Sequence, residues 1–364
     1  MRKARLIAYY LPQFHPIPEN DEWWGKGFTE WTNVVKARPL FKGHLQPRIP
    51  ADLGFYDLRV GETRELQADM ARECGVEGFM YWHYWFGNGK QLLQRPFQEV
   101  LHSGKPDFPF CLGWANHSWS NRTWTAAKQG KQFLLEQKYP GIEDYTNHFY
   151  SLLPAFKDKR YITVDEKPFF LIYNVLDIPD LKLFIETWQT LAMENGLKGI
   201  HFVGNIMGHV SENRCFDIIN SGVDATALFL LNKAELKSKG KIGYYIEKLK
   251  GRLNIPFVEK FDYRKIIKNI HTDLEKREDI YPVVFPQLDR TPRAGKNAVV
   301  INHATPQYFK KYLEETVKII SDKKFEHRIV LLNAWNEWGE GNYVEPDIYN
   351  GHGYLDAIRD VIID

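Results

Sequence analysis

The chain has 364 residues, with 48 Lys and Arg against 46 Asp and Glu, so it carries no strong field of either sign. That balance gives no electrostatic footing for nucleic acid or an anionic membrane, and it favours a small neutral partner. No run approaches the ~20 apolar residues of a membrane span, and the scattered Cys74, Cys111 and Cys215 argue for buried free thiols rather than a disulfide framework or zinc site.

The length admits one large core or two ordinary ones. Met1-Arg2-Lys3 and the run after it do not make a secretory leader: the run is short, holds Tyr9 and Tyr10, and lacks a small-residue cleavage site. A cytoplasmic chain is expected. Aromatic content of 15% with 11 Trp is high, and indoles serve both sugar stacking and core packing, so position decides between the two.

In chain order, strands are expected at Leu6–Leu11, Gly78–Trp82, Phe110–Trp114, Phe169–Tyr173, Ile200–Gly204, Ala225–Leu231, Val283–Phe285 and Ile329–Leu332. Between them, apolar residues three and four apart predict helices over Glu62–Cys74, Gly141–Phe156, Asp180–Asn195, Tyr308–Ser321 and Gly353–Ile363. Strand then helix, repeated eight times over, predicts a (β/α)8 TIM barrel as a single domain over 1–364 with long loop insertions at the C-terminal rim. The competing doubly wound sheet lacks its glycine-rich phosphate loop after the first strand. Pro12 to Arg59 is one long insertion, rich in Pro, Gly and Trp. Asn232 to Lys260 is a second, with Lys233, Lys237, Lys239, Lys241, Lys248 and Lys250 beside Tyr244, Tyr245, Ile246 and Leu249; it reads as a solvated helix rather than a patch for an anionic polymer.

The reacting groups of such a barrel lie at the C-terminal ends of its strands. After the first come Tyr10, Gln13 and His15, then Trp24, Glu30, Trp31 and Asn33 of the insertion. The second contributes Trp82, His83 and Tyr84, the third Trp114, Asn116, His117 and Trp119, the fourth Tyr173 and Asn174, and the fifth Asn205. Asp289, Arg290 and Arg293 follow the seventh. After the eighth stands Asn333-Ala334-Trp335-Asn336-Glu337-Trp338-Gly339-Glu340-Gly341, with Glu345 beyond it. Glu337 and Glu340 sit where a buried strand yields to a turn, so they can face one cleft and divide the acid and base work of acetal cleavage. Two solvated glutamates on a surface loop are the plain alternative. Trp24, Trp31, Tyr84 and Trp119 are expected to include the sugar platform, with Trp335, Asn336, Trp338 and Glu345 as further substrate contacts. Ligands at short metal-binding spacing are absent, so neither metal nor cofactor is expected.

The runs Tyr10-Leu11-Pro12-Gln13-Phe14-His15, Trp24-Gly25-Lys26-Gly27-Phe28-Thr29-Glu30-Trp31-Thr32-Asn33, Gly54-Phe55-Tyr56-Asp57-Leu58-Arg59, His83-Tyr84-Trp85-Phe86 and Trp335 to Gly341 closely resemble the WbsX family. That family was named as glycosyltransferases of surface-polysaccharide gene clusters and is similar to glycoside hydrolase family 99, the endo-α-mannosidases and endo-α-mannanases. The resemblance implies a (β/α)8 barrel. It also implies that Glu337 removes the proton of the sugar 2-OH, whose oxygen attacks the anomeric carbon to give a 1,2-anhydro sugar, with Glu340 as acid/base. Gly339 stands where family 99 has a histidine, His117 where WbsX relatives more often have Glu, and Leu288-Asp289-Arg290 where they more often have Trp-Asp-Asn. These departures point to a different sugar or aglycone.

The expected activity is a retaining glycoside hydrolase or transglycosylase acting on a bacterial surface polysaccharide or its precursor. One alternative is a glycosyltransferase of O-antigen or capsule synthesis, although the chain shows no Asp-x-Asp pair or nucleotide fold. Another is a catalytically silent sugar-binding protein, which could dispense with one glutamate.

Overall fold

The computed structural model of the protein describes residues 2–121, 132–206, 213–239 and 257–363. Eight parallel strands form its centre: β1 (Arg5–Tyr10), β2 (Gly78–Trp85), β3 (Phe110–Trp114), β4 (Lys167–Ile172), β5 (His201–Ile206), β6 (Ala225–Leu228), β7 (Ile280–Val284) and β8 (Ile329–Leu332). Each pairs with the next, and β8 returns to β1 with Arg5 opposite Ile329 and Ala8 opposite Leu332. The sheet therefore closes without an edge, as the sequence predicts. Covered inside by side chains and outside by helices, the strands read as continuous apolar runs rather than alternating ones.

The five expected helices are present within two residues of their predicted bounds, as Gly61–Cys74, Ile142–Phe156, Leu181–Glu194, Pro306–Ile319 and Gly353–Ile362. Arg95–Ser103 and Asn213–Asn220 join the layer after β2 and β5; they are short, and their sequence signal is correspondingly weak. The strand limits shift more. β2 runs on to Trp85 and β5 to Ile206, so Trp82 to Trp85 and Asn205 belong to strands and not to the loops after them. β7 begins at Ile280, three residues early.

The first insertion is not bare loop. It folds into helices Pro18–Trp24 and Glu30–Lys36, the second opened by Thr29, whose N–H donates to Thr32 Oγ1 at 3.2 Å. Against this insertion, strand Val299–Asn302 pairs in parallel with Glu259–Asp262 and antiparallel with Leu288–Asp289. This small sheet launches the turn Thr291–Ala294 that carries Arg293. Lys233, Lys237 and Lys239 of the second insertion lie on a helix over 231–239, with Lys239 paired to Glu259. Lys241, Tyr244, Tyr245, Ile246, Lys248, Leu249 and Lys250 lie outside the described residues. Cys74, Cys111 and Cys215 are buried and free. Among the described residues no helix is long and apolar enough to cross a membrane.

Candidate active site

Beyond β8 the chain pairs Asn336–Glu337 against Asn342–Tyr343 and makes one tight turn over Trp338–Glu340 between them. Gly341 is left-handed (φ 55°), and a Cβ there would meet Asp289 Cβ at 2.8 Å. The turn is braced from below. Glu345, wholly buried, accepts from Trp335 Nε1 at 2.9 Å, Trp338 Nε1 at 2.6 Å, Gln67 Nε2 at 2.6 Å and Tyr56 OH at 2.9 Å. Burial pushes its carboxyl up to about 7 despite those donors. Asn336 pairs twice with the Leu11 backbone, its Oδ1 at 2.8 Å and its Nδ2 at 3.1 Å.

Held this way, Glu337 and Glu340 both reach Arg293. Its Nη1 donates to Glu340 Oε1 at 2.8 Å and to Glu337 Oε1 at 3.3 Å, and its Nη2 donates to Glu337 Oε1 at 3.3 Å. Arg290 Nη2 adds a contact of 3.1 Å to Glu340. On its other edge Arg293 Nε meets Glu30 Oε1 at 2.9 Å. The two catalytic candidates therefore sit in unlike fields. Burial and the neighbouring charge of Glu340 push Glu337 up to about 7. Burial also works against ionisation of Glu340, but the guanidiniums of Arg290 and Arg293 outweigh it and hold that carboxyl below the ordinary glutamate range. Glu337 is thereby the better proton holder of the pair and Glu340 the better carrier of charge.

The other expected residues divide by facing. Alternation along β2 sends His83 outward, where its Nε2 lies 2.9 Å from His148 Nε2 and burial drops it to about 3, and turns Trp82 inward to Tyr9 and Tyr173. Tyr10 likewise faces the helices, donating to Gln67 Oε1 at 2.6 Å, and Trp114 Nε1 donates to the Trp85 carbonyl at 2.9 Å. Tyr10, His83 and Trp114 are thus packing residues, not substrate contacts. So are Trp335, Asn336, Trp338 and Glu345, for the reasons above. Asp289 is enclosed by His44 and Gln46, each at 2.7 Å, and by Thr291, and serves the rim sheet. Asn116 is buried and locks the Asn174 backbone.

Three of the four expected platform residues lie beneath the surface. Trp31, Tyr84 and Trp119 are buried: Trp31 Nε1 donates to the Tyr56 carbonyl at 2.7 Å, and Trp119 packs on Trp23, Tyr84 and Phe86. Trp24 is half-buried, as are Trp82, His117 and Tyr173, and the last three touch one another through Tyr173. Asn33 is buried in its helix, and His15 is buried with Nδ1 on the Pro12 carbonyl. Gln13 and Asn205 are buried with neither amide atom paired among the described residues, which suits them to a polar ligand. Sequence reading missed Tyr9, inward on β1 with its buried hydroxyl unpaired; strand alternation was the signal available. Among the described residues no three His, Cys, Asp or Glu side chains gather as metal ligands would. Tyr173→Ala and Trp82→Ala are expected to weaken ligand binding with little change in melting temperature. Trp119→Ala, by contrast, should cost ~3–5 kcal/mol of stability, checked by denaturant titration.

The profile of the family described as Glycosyltransferase WbsX matches residues 6–358. Two proteins described as "Uncharacterized protein WxcX", from Xanthomonas campestris pv. campestris strain B100 and a second strain of that pathovar, are each 35% identical over 362 residues, 99% of this chain and 50% of their own length. The chain thus spans about half of these relatives. Among solved structures, a glycoside hydrolase-like protein aligns over 99% of this chain and 94% of its own, with 13% identity and a TM-score of 0.64. The family 99 endo-α-mannosidase of Bacteroides thetaiotaomicron aligns over 98% and 95%, with 14% identity and a TM-score of 0.57. At such identities the structural likeness speaks for the barrel alone. With its profile matched from the first strand to the last helix, the chain belongs to the WbsX family.

Proposed function

We propose that this protein is a carbohydrate-active enzyme that cleaves a glycosidic bond with retention, by hydrolysis or transglycosylation, in a surface polysaccharide or its precursor. The observation that carries this reading is the pair Glu337 and Glu340, gripped by one guanidinium at the barrel mouth with their proton affinities displaced in opposite directions. Glu337 gives its proton to the leaving oxygen, and Glu340 meets the anomeric carbon as a carboxylate. Hydrogen bonds of 3.3 and 2.8 Å to one nitrogen keep the near oxygens inside the ~6.5 Å at which inverting pairs begin, which supports retention. Tyr173, Trp82 and His117 supply the half-open aromatic wall for the sugar.

Incubation with the glycan encoded in its own gene neighbourhood should release new reducing ends or transfer products, with or without prior dialysis against chelator. The family's description favours one other reading, a glycosyltransferase. Elongation of an acceptor that strictly requires a nucleotide-sugar, with no cleavage of glycan alone, would establish that reading in place of the first.

A further inference from the structure

Glu30 opens the helix Glu30–Lys36, its backbone N–H anchored on the Gln13 carbonyl at 2.9 Å. Its side chain is wholly buried, and its second oxygen, Oε2, has no hydrogen-bond partner among the described residues. The carboxylate occupies a notch that exists only because residue 339 is glycine: a Cβ there would fall 1.4 Å from Glu30 Oε1 and 2.5 Å from Glu30 Cδ. From that notch Glu30 holds the Nε edge of Arg293 at 2.9 Å, leaving the opposite edge for Glu337 and Glu340.

We propose that Glu30 is a positioning residue that aims Arg293 at both catalytic glutamates and thereby makes the pair carry a single proton into the reaction. This rests on the reading of Glu337 and Glu340 as the catalytic pair. Among the described residues the charges facing that pair are Glu30, Arg290 and Arg293, with the hydroxyls of Tyr84 and Tyr173 beside them. Three carboxylates against two guanidiniums leave one negative charge in excess, and a proton on Glu337, the carboxyl with only the long 3.3 Å contacts, removes it.

The test is Glu30→Gln, which keeps the shape of the side chain and removes the charge that holds Arg293. Removing a like charge makes Glu337 release its proton more readily, so the limb of the pH profile governed by Glu337 should move to lower pH by about one unit. That direction holds whether Glu337 acts as acid or base. Turnover should fall, by up to ~100-fold as the guanidinium loses its aim, with KM little changed. Gly339→Ala, which evicts the same carboxylate, should reproduce both effects. Carbon-13 titration of δ-labelled glutamate, assigned with Glu337→Gln, reads the same shift without substrate, so it stands even if no glycan is turned over. An unshifted titration with only a lower melting temperature would make Glu30 a packing residue and overturn the proposal. A raised KM at unchanged turnover would overturn it differently, by making Glu30 a direct substrate contact.

Discussion

Glu337→Gln and Glu340→Gln should each lower turnover by ~10²–10⁴-fold while leaving the fold intact, because an amide keeps the shape of the carboxyl but can neither give up the proton asked of Glu337 nor carry the charge asked of Glu340. The pH profile separates their roles. With Glu337 up to about 7 and acting as the acid, kcat/KM is full while it holds its proton and falls as pH rises through about 7. Glu340 must be charged, so the acid limb lies below the ordinary glutamate range, where its carboxylate is finally protonated. The optimum is then on the acid side of neutrality, and the alkaline limb disappears in Glu337→Gln. Activity that instead rises through pH 7, together with loss of cleavage when the substrate's 2-OH is removed, would make Glu337 the base of an anhydro-sugar route. Near-native turnover in either variant would remove that glutamate from the mechanism.

Arg293→Met should be the most damaging single change to the site's integrity. The side chain is buried and is gripped by Glu30, Glu337 and Glu340 together. Removing one partner from a buried ionic cluster costs ~3–5 kcal/mol, since the remaining charges are left uncompensated. The loss should be larger at pH 8 than at pH 5.5, because Glu337 gives up its proton as pH rises through about 7 and adds its own repulsion. Denaturant melts at the two pH values measure this directly. Arg293→Lys retains the charge but not the planar fork that serves three carboxylates at once, so it should recover part of the stability and little of the turnover. A melt unchanged at both pH values would mean that Arg293 does not hold the site together.

Much of the architecture was legible in the chain because it depends on local pattern. Eight apolar runs and helical periods between them specify strands with both faces covered, and nothing beyond nearest neighbours is needed to read Ile329–Leu332 or Gly61–Cys74. Glu337 and Glu340 were legible for the same reason: two carboxylates three residues apart at a strand end are a local feature. What failed was facing. His83 and Trp114 stand among chemically plausible neighbours, yet a strand turns each successive side chain to the opposite side, and their side is the helix layer.

By itself, then, the sequence determined the barrel and the family and singled out the candidate pair, since each is written in short-range spacing or in contiguous motifs. Only the tertiary structure decided the electrostatics of that pair. Arg293 and Glu30 are 263 positions apart, and Arg293 stands 44 and 47 positions from Glu337 and Glu340. Which glutamate keeps the proton depends on charges delivered by the first insertion and the rim turn after β7. Coulomb terms fall with distance through space, and the order of residues along a chain does not state that distance.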